Sequence, residues 1–366
     1  MHRTDARWAN FDPYGALMNA IEPKVHIIGG MSRRITIVDV AKVCGVTPAT
    51  VSRVLNAKKD FSTSVAVRKK IIEAAKKMGY VPNLAARNLV RQETHIIGVF
   101  ASPHTHIAEG INESLLEGFA SVLHPAGYDV FFEVSPVENQ GHAVPFWRFD
   151  GALLMQQPKP ETVAELDRRG VPYVCVNERV GNPLAYILAD DVMGMNRAVE
   201  YLRQLGHKRI AYTNTVSGYF SHYSVTERYE TLLAAAKKHR MELVLGHDQP
   251  FTQATDFLNL TVKANGATGI ITYDHRIAVR LVGAATTMDL RIPQDFSLIC
   301  FNDVYPVALL APPVTAVAVS GREMGRVGAD LLLKRLQSKR PQTVSEIRVP
   351  EELIVRGSTA PPPELQ

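Results

Sequence analysis

From Ile37 onward the apolar positions recur at helical spacing. Ile37, Val40, Ala41 and Cys44 fall at i, i+3, i+4 and i+7 and predict the buried stripe of a short helix. Gly45 ends that helix, and Val46 plugs the gap before the next one. Thr47 caps a second helix, with Pro48 at its first position, where a missing N–H breaks no helical bond. Val51, Val54 and Leu55 face inward. At ~100° per residue, Ala49, Ser52, Arg53 and Asn56 then share the opposite face. A third helix carries Val67, Ile71, Ala74 and Met78 on one side and Arg68, Lys69, Lys70, Lys76 and Lys77 on the other. Gly79 ends it, and Tyr80-Val81-Pro82 reads as extended, because the residue before proline avoids the helical region. Asn83–Val90 then reads as about two turns of helix capped by Asn83, too short to be stable alone in water. Such a segment is either a plain linker helix or a switch that is helical only when something holds it.

From His95 the pattern changes to short apolar runs alternating with amphipathic stretches. Residues 96–101, 128–134, 150–155, 171–177, 209–213, 269–272 and 296–301 read as strands. Helical stretches near 109–124, 160–169, 193–205, 225–240, 275–288 and 322–337 lie between and after them. Strands alternating with helices predict doubly wound parallel sheets. A body of this length is expected to form two lobes around a cleft, with ligands held at the strand C-termini.

Charge sharpens the division. Residues 31–94 hold 13 Lys/Arg against 4 Asp/Glu, a local net of +9, whereas 95–366 hold 25 against 29. A basic segment joined to a mildly acidic body fits a phosphate-binding module attached to a separate domain. Small polar side chains with one arginine fork suit a helix inserted into a DNA major groove. A basic helix could also lie on anionic lipid, but this segment lacks the large apolar face such a helix buries. The chain has no run of ~18 apolar residues to span a membrane and no apolar core near its start to act as a secretory signal. Cys44, Cys175 and Cys300 are far apart, odd in number and set among apolar neighbours, which fits reduced core cysteines of a cytoplasmic protein. No histidine spacing suggests a metal site, and no cofactor motif is present.

Thr50-Val51-Ser52-Arg53-Val54-Leu55-Asn56, then Tyr80-Val81-Pro82-Asn83 and Ala86-Arg87-Asn88-Leu89, resemble the headpiece and hinge of the lactose/galactose repressor (LacI/GalR) family. The loop between Ser62 and Arg68 is about two residues longer than usual for that family. The resemblance implies that Pro48 and Ala49 at the start of the recognition helix, with Arg53, contact bases in the major groove, and Thr47, the cap of that helix, is a further DNA-binding candidate. By the same resemblance Thr36, Ser52, Asn56 and Asn83 touch phosphates, and Leu89 wedges into the minor groove at the centre of a palindromic operator. Where the family often has a glycine after the hinge, this chain has Arg91.

Gly206-His207-Lys208-Arg209-Ile210-Ala211, Ile292-Pro293-Gln294-Asp295-Phe296-Ser297, Pro312-Pro313-Val314-Thr315 and Leu353-Ile354-Val355-Arg356-Gly357-Ser358-Thr359 resemble the family's periplasmic-binding-protein-like core. That resemblance implies an effector site at Arg228, Phe251, Tyr273, Asp274 and Asn302. Here Asn302 replaces the first acid of the usual Phe-Asp-Asp, and Thr231 stands where the family has glycine. Ser102 and His104, with Thr105, are candidates from their place at the end of the first strand. An arginine, amides, a carboxylate and an aromatic ring suit a sugar or sugar derivative, and the same set could hold a nucleobase.

The expected organisation is a leader (1–30) that is disordered or not native, a helix-turn-helix DNA-binding domain (31–82), and a hinge helix and linker (83–94). A two-lobed effector-binding and dimerisation core (95–360) and a tail (361–366) follow. An enzyme is disfavoured: there is no Gly-rich phosphate loop, zinc motif or Gly-x-Ser-x-Gly turn, and the Asp190-Asp191 and Asn302-Asp303 pairs point apart. An exported sugar-binding protein conflicts with the basic headpiece. A homodimeric regulator of double-stranded DNA, most consistent with a repressor, accounts for every segment from 31 onward. In that reading the effector changes the lobe orientation and parts the hinges, or, as in some members of the family, is instead needed for DNA binding. The tail has no leucine heptad, so a dimer is expected and not a tetramer.

Overall fold

The computed structural model describes residues 35–55, 62–80, 93–102, 110–133, 148–214, 222–245, 253–338 and 344–363. The leader 1–30 and the segment Asn83–Val90 lie outside the described residues. The chain divides after Arg87 into two compact units.

The first unit contains α1 (Ile37–Cys44), α2 (Pro48–Leu55) and α3 (Val65–Met78). A capping box starts α1: the Thr36 N–H donates to Asp39 Oδ2 at 2.9 Å, and the Asp39 N–H donates back to Thr36 Oγ1 at 3.4 Å. Gly45 stops the helix in the left-handed region, φ 69°, and its N–H returns to the Ala41 and Lys42 carbonyls. Thr47 Oγ1 accepts the Thr50 N–H at 3.1 Å and so caps α2, as the sequence predicts. Ser64 caps α3, which therefore begins two residues ahead of Val67, its first residue packed on the core. The stripes meet in one cluster of Val40, Ala41, Cys44, Val51, Val54, Ile71 and Ala75, with Ile37, Val46, Val67, Met78 and Tyr80 packed around it. Lys70 Nζ donates to the Cys44 carbonyl at 3.1 Å, placing a cation at the end of α1.

The second unit begins with β1 (Ile96–Phe100), α4 (Ile111–Leu123), β2 (Asp129–Glu133), β3 (Gly151–Met155), α5 (Pro160–Arg169), β4 (Tyr173–Val176) and β5 (Ala185–Ala189). It continues with α6 (Asp191–Leu205), β6 (Arg209–Thr213), α7 (Tyr223–Lys238), β7 (Glu242–Leu245), α8 (Ala254–Leu258) and a π-turn at Asn259–Ala264. Next come β8 (Gly269–Thr272), α9 (His275–Thr287), β9 (Ser297–Phe301) and β10 (Thr315–Ala318). The last elements are α10 (Gly321–Gln337), β11 (Ser345–Val349) and β12 (Glu352–Ile354). Two six-stranded sheets result, ordered β11-β5-β4-β3-β1-β2 and β12-β10-β9-β8-β6-β7. Pairing is parallel throughout except for β10 with β12. The central strands are buried on both faces, β3 and β9 at every position, which explains their unbroken apolar runs.

The chain passes between the lobes at three places: from β5 into α6, from β10 into α10, and from β11 into β12. The strands and helices expected after His95 are present with bounds shifted by a few residues. The pattern did not reveal β5, β7, β10, β11 and β12. Each is three to five residues long, and β7, β11 and β12 lie at sheet edges where half-exposed positions blur the alternation.

In the first lobe α10 crosses α4 in near backbone contact. A Cβ on Gly325 would lie 1.9 Å from the Leu115 carbonyl oxygen, and one on Gly118 would lie 2.0 Å from that of Arg322. We expect Gly325→Ala to cost about 2 kcal/mol or more, because the obstructing atoms are backbone. Gly283→Ala, in α9 with nothing within 4 Å, should instead gain up to about 1 kcal/mol. Urea midpoints of the two variants would measure both, and equal effects would contradict the close crossing.

Candidate functional site

In the first unit α2 turns Val51 and Val54 into the core and leaves Thr47, Pro48, Ala49 and Arg53 exposed, with Ser52 half-buried. No acid stands in its first turn, so its N-terminus keeps the partial positive charge of the helix dipole. Lys69, Lys70, Lys76 and Lys77 of α3 are exposed as well. The predicted groove-facing residues from Thr47 to Arg53 therefore form one small, uncharged or cationic face. Thr36 is also exposed, but its hydroxyl is engaged with Asp39 at 2.7 Å. Asn56, Asn83 and Leu89 lie outside the described residues.

In the second unit the strand C-termini of the two lobes converge. Four non-glycine residues with left-handed backbone sit at those ends: Gln156 (φ 51°) and Gln157 (φ 56°) after β3, Asn177 (φ 55°) after β4 and Asn302 (φ 70°) after β9. Left-handed amides at strand ends are a form of backbone strain that concentrates at binding sites. The Asn302 N–H donates to the Val317 carbonyl at 2.9 Å, which holds the turn, while its side-chain Oδ1 has no hydrogen-bond partner among the described residues.

Across the cleft, His222 at the start of α7 reaches the first lobe. Its Nε2–H donates to the Asn177 carbonyl at 2.8 Å, so Nδ1 is the acceptor. Ser224 Oγ lies 2.6 Å from Nδ1 and donates to it, and Tyr273 O–H donates in turn to Ser224 Oγ at 2.8 Å. Tyr223 O–H donates to Asn177 Oδ1 at 2.9 Å. Burial keeps His222 neutral by lowering its pKa, which is the state this relay requires.

Arg228, one turn further along α7, is only 5 % exposed and points beneath the cleft. Its Nε–H donates to Asp191 at the start of α6 and its Nη1 to the Tyr273 carbonyl at 2.6 Å. The guanidinium carbon stacks 3.9 Å from the Phe301 ring centroid and 4.9 Å from that of Tyr273. Burial works against its charge, but the groups around it, Asp191 foremost, together outweigh burial and raise its pKa. Asp274 is 1 % exposed and is occupied as a helix cap: Oδ1 accepts the Ile277 N–H at 3.0 Å and Oδ2 accepts from Arg276 at 2.6 Å. Ser102 ends β1 with its N–H on the Gln156 carbonyl at 3.0 Å. Tyr273 is buried beside Arg228. His104 and Phe251 lie outside the described residues.

The structure thus brings Arg228, Tyr273, Asp274 and Asn302 to the same strand ends, with Ser102 at the end of β1. It adds Gln156, Asn177, His222, Tyr223 and Ser224, which sequence reasoning missed. The apolar-to-amide step at Val176-Asn177 was the available signal, since it marks the end of a buried strand in the same way as Phe301-Asn302.

The family model for bacterial regulatory proteins of the lacI family matches residues 36–83, and the model for a periplasmic binding protein-like domain matches 199–359. The chain is 28 % identical over 342 residues to the probable HTH-type transcriptional repressor ExuR of Bacillus subtilis, covering 88 % of this chain and 98 % of that one. The chain carries a LacI-family DNA-binding domain. The ribose operon repressor of Escherichia coli is 26 % identical over 337 residues, covering 88 % and 99 % of the two chains. A Lac repressor dimer bound to operator and anti-inducer has the same fold, with a TM-score of 0.74 at 22 % identity over 90 % of this chain and 100 % of that one. With that domain and these relatives matched over nearly their whole length, the chain is a transcriptional regulator and not an enzyme. Among the described residues, no helix is long and apolar enough to cross a membrane.

The buried ion pair sets a stability test. Asp191→Ala would strand Arg228 in a dry site and should cost about 3–5 kcal/mol. Asp190→Ala removes only a cap on the Met193 N–H and should cost about 1 kcal/mol. Comparable losses in urea unfolding would show that the pair is not the keystone.

Proposed function

We propose that this regulator represses transcription as a cytoplasmic homodimer on a palindromic operator and releases it when a sugar or sugar derivative binds between its lobes. The observation that carries the reading is the joining, in one chain, of an exposed recognition helix to a two-lobed core lined with left-handed amides. In this reading Thr47, Pro48, Ala49 and Arg53 meet base edges, Thr36 and Ser52 meet phosphates, and Asn56, Asn83 and Leu89 complete the contact. Exposure of the Thr47–Arg53 face and the basic flank of α3 support it.

In the cleft, Asn302 and Asn177 supply amide groups of the kind that bind sugar hydroxyls, with Ser102, His104, Phe251 and Tyr273 as further contacts. Arg228 and Asp274 act mainly from below, because each is tied to protein partners. Sugar chemistry is supported by relatives: one is named a ribose operon repressor, and a CelR–cellobiose complex shares the fold at a TM-score of 0.61 with 24 % identity. Its coverage is 89 % of this chain and 100 % of that one.

Operator preference can be selected from a randomised duplex library. Arg53→Ala should then lose about 1–3 kcal/mol of discrimination at one base position per half-site while keeping weak, salt-sensitive binding. An unchanged base preference would refute the groove assignment. A thermal-shift screen of sugars, sugar acids and nucleobases should yield a ligand, and Asn302→Ala should weaken that ligand roughly tenfold or more with DNA affinity retained. Full binding by the variant would move the site elsewhere.

A further inference from the structure

Two of the three lobe crossings meet at one buried point. Asp191 opens α6 just after the first crossing, and Glu351 stands between β11 and β12 in the third. Both side chains are wholly buried. Asp191 and Gly194 lie three residues apart on one face of α6, and Glu351 packs onto that face. Its Oε2 occupies a point 1.8 Å from where a Cβ on Gly194 would be, so glycine makes the room for this carboxyl.

The cation facing both carboxyls is Arg228. It is hydrogen-bonded to Asp191, and its Nη2 is 3.9 Å from Glu351 Oε1, too far for a hydrogen bond. Both Glu351 carboxyl oxygens, and Asp191 Oδ2, have no hydrogen-bond partner among the described residues. Other charged groups nearby do not relieve them. Arg197 of α6 donates to the Glu351 backbone carbonyl. Arg348 of β11 is held by Glu227 of α7 and by the Ala189 carbonyl. Asp190 and Glu227 add negative charge, and His222 is neutral. One guanidinium cannot support two ionised carboxylates in a site without water-facing oxygens. Asp191 holds the guanidinium, so Glu351 is the group left with the proton.

We propose that Glu351 is a positioning residue of the lobe hinge that works as a neutral acid, leaving Arg228 paired with Asp191 alone. Loss of its proton to solvent puts two carboxylates in competition for one guanidinium and loosens the junction where α6, α7 and β12 meet. Burial first, then the negative charge of Asp191, raise the Glu351 pKa well above its ordinary 4.5, with Arg228 opposing. A folded-state pKa raised in this way contributes stability that is complete below about pH 4.5 and is lost as pH rises through the folded value. The inference concerns the hinge and stands whatever ligand the cleft takes.

The test compares the full chain with Glu351→Gln, which keeps the shape of the neutral acid. The gain in Tm of the variant over wild type should grow from about zero near pH 5 to about 5 °C near pH 8. Parallel profiles, or a variant deficit that widens with pH, would overturn the proposal. The wild-type protein supplies an independent measurement should the variant not fold. With 13C-labelled glutamate, one side-chain carboxyl carbon should show the protonated shift at pH 7, and finding every glutamate ionised there would equally refute it.

Discussion

A buried guanidinium has to be matched, and much of the core is arranged around the match for Arg228. Its partner Asp191 lies at the first residue of α6, so the ion pair fixes how that helix leaves the lobe crossing. The rings of Phe301 and Tyr273 cover the remaining faces of the guanidinium, and these residues end or directly follow β9 and β8. One cation therefore ties together α6, α7 and the ends of two strands. A pair of this kind contributes little net stability compared with an apolar replacement, but losing one partner is costly. Its value lies in specifying a single geometry at the point where the chain changes lobe.

That constraint reassigns the polar groups of the cleft. Residues that a motif would place against a ligand are already satisfied from within: Arg228 by Asp191 and a carbonyl, Asp274 by the first turn of α9. Groups at the strand ends behave differently. Asn302 carries a side-chain oxygen without a partner among the described residues, and Asn177 is held left-handed while receiving bonds from His222 and Tyr223 across the cleft. The strand ends thus carry amides and hydroxyls, and the charges of Arg228 and Asp274 are paired within the protein. Neutral His222 links the lobes through directional hydrogen bonds, which can break and reform without moving a net charge.

The first unit follows simpler rules. Its core is a single cluster drawn from three short helices, and local chemistry alone specifies the caps: Thr36 with Asp39, Thr47 with Thr50, and glycine at 45. With the apolar stripes turned inward, the residues left outside on α2 are small or cationic. This face needs no distant part of the chain to create it.

The sequence by itself determined what depends on near neighbours. Val40, Val51 and Ile71 are buried because helical spacing puts them on one side, and unbroken runs such as Gly151–Met155 mark central parallel strands. Three of the four edge strands, β7, β11 and β12, were illegible, since three to five half-exposed residues carry too little alternation. In the cleft, motif resemblance located Arg228 and Asn302 but not their circumstances. Only the tertiary structure decided that Arg228 faces Asp191, 37 residues away, or that Glu351 meets Gly194 across the hinge. A carboxylate in a surface strand and one sealed beneath a helix look the same in sequence. Burial and the number of available cations separate them, and both quantities exist only once the chain has folded.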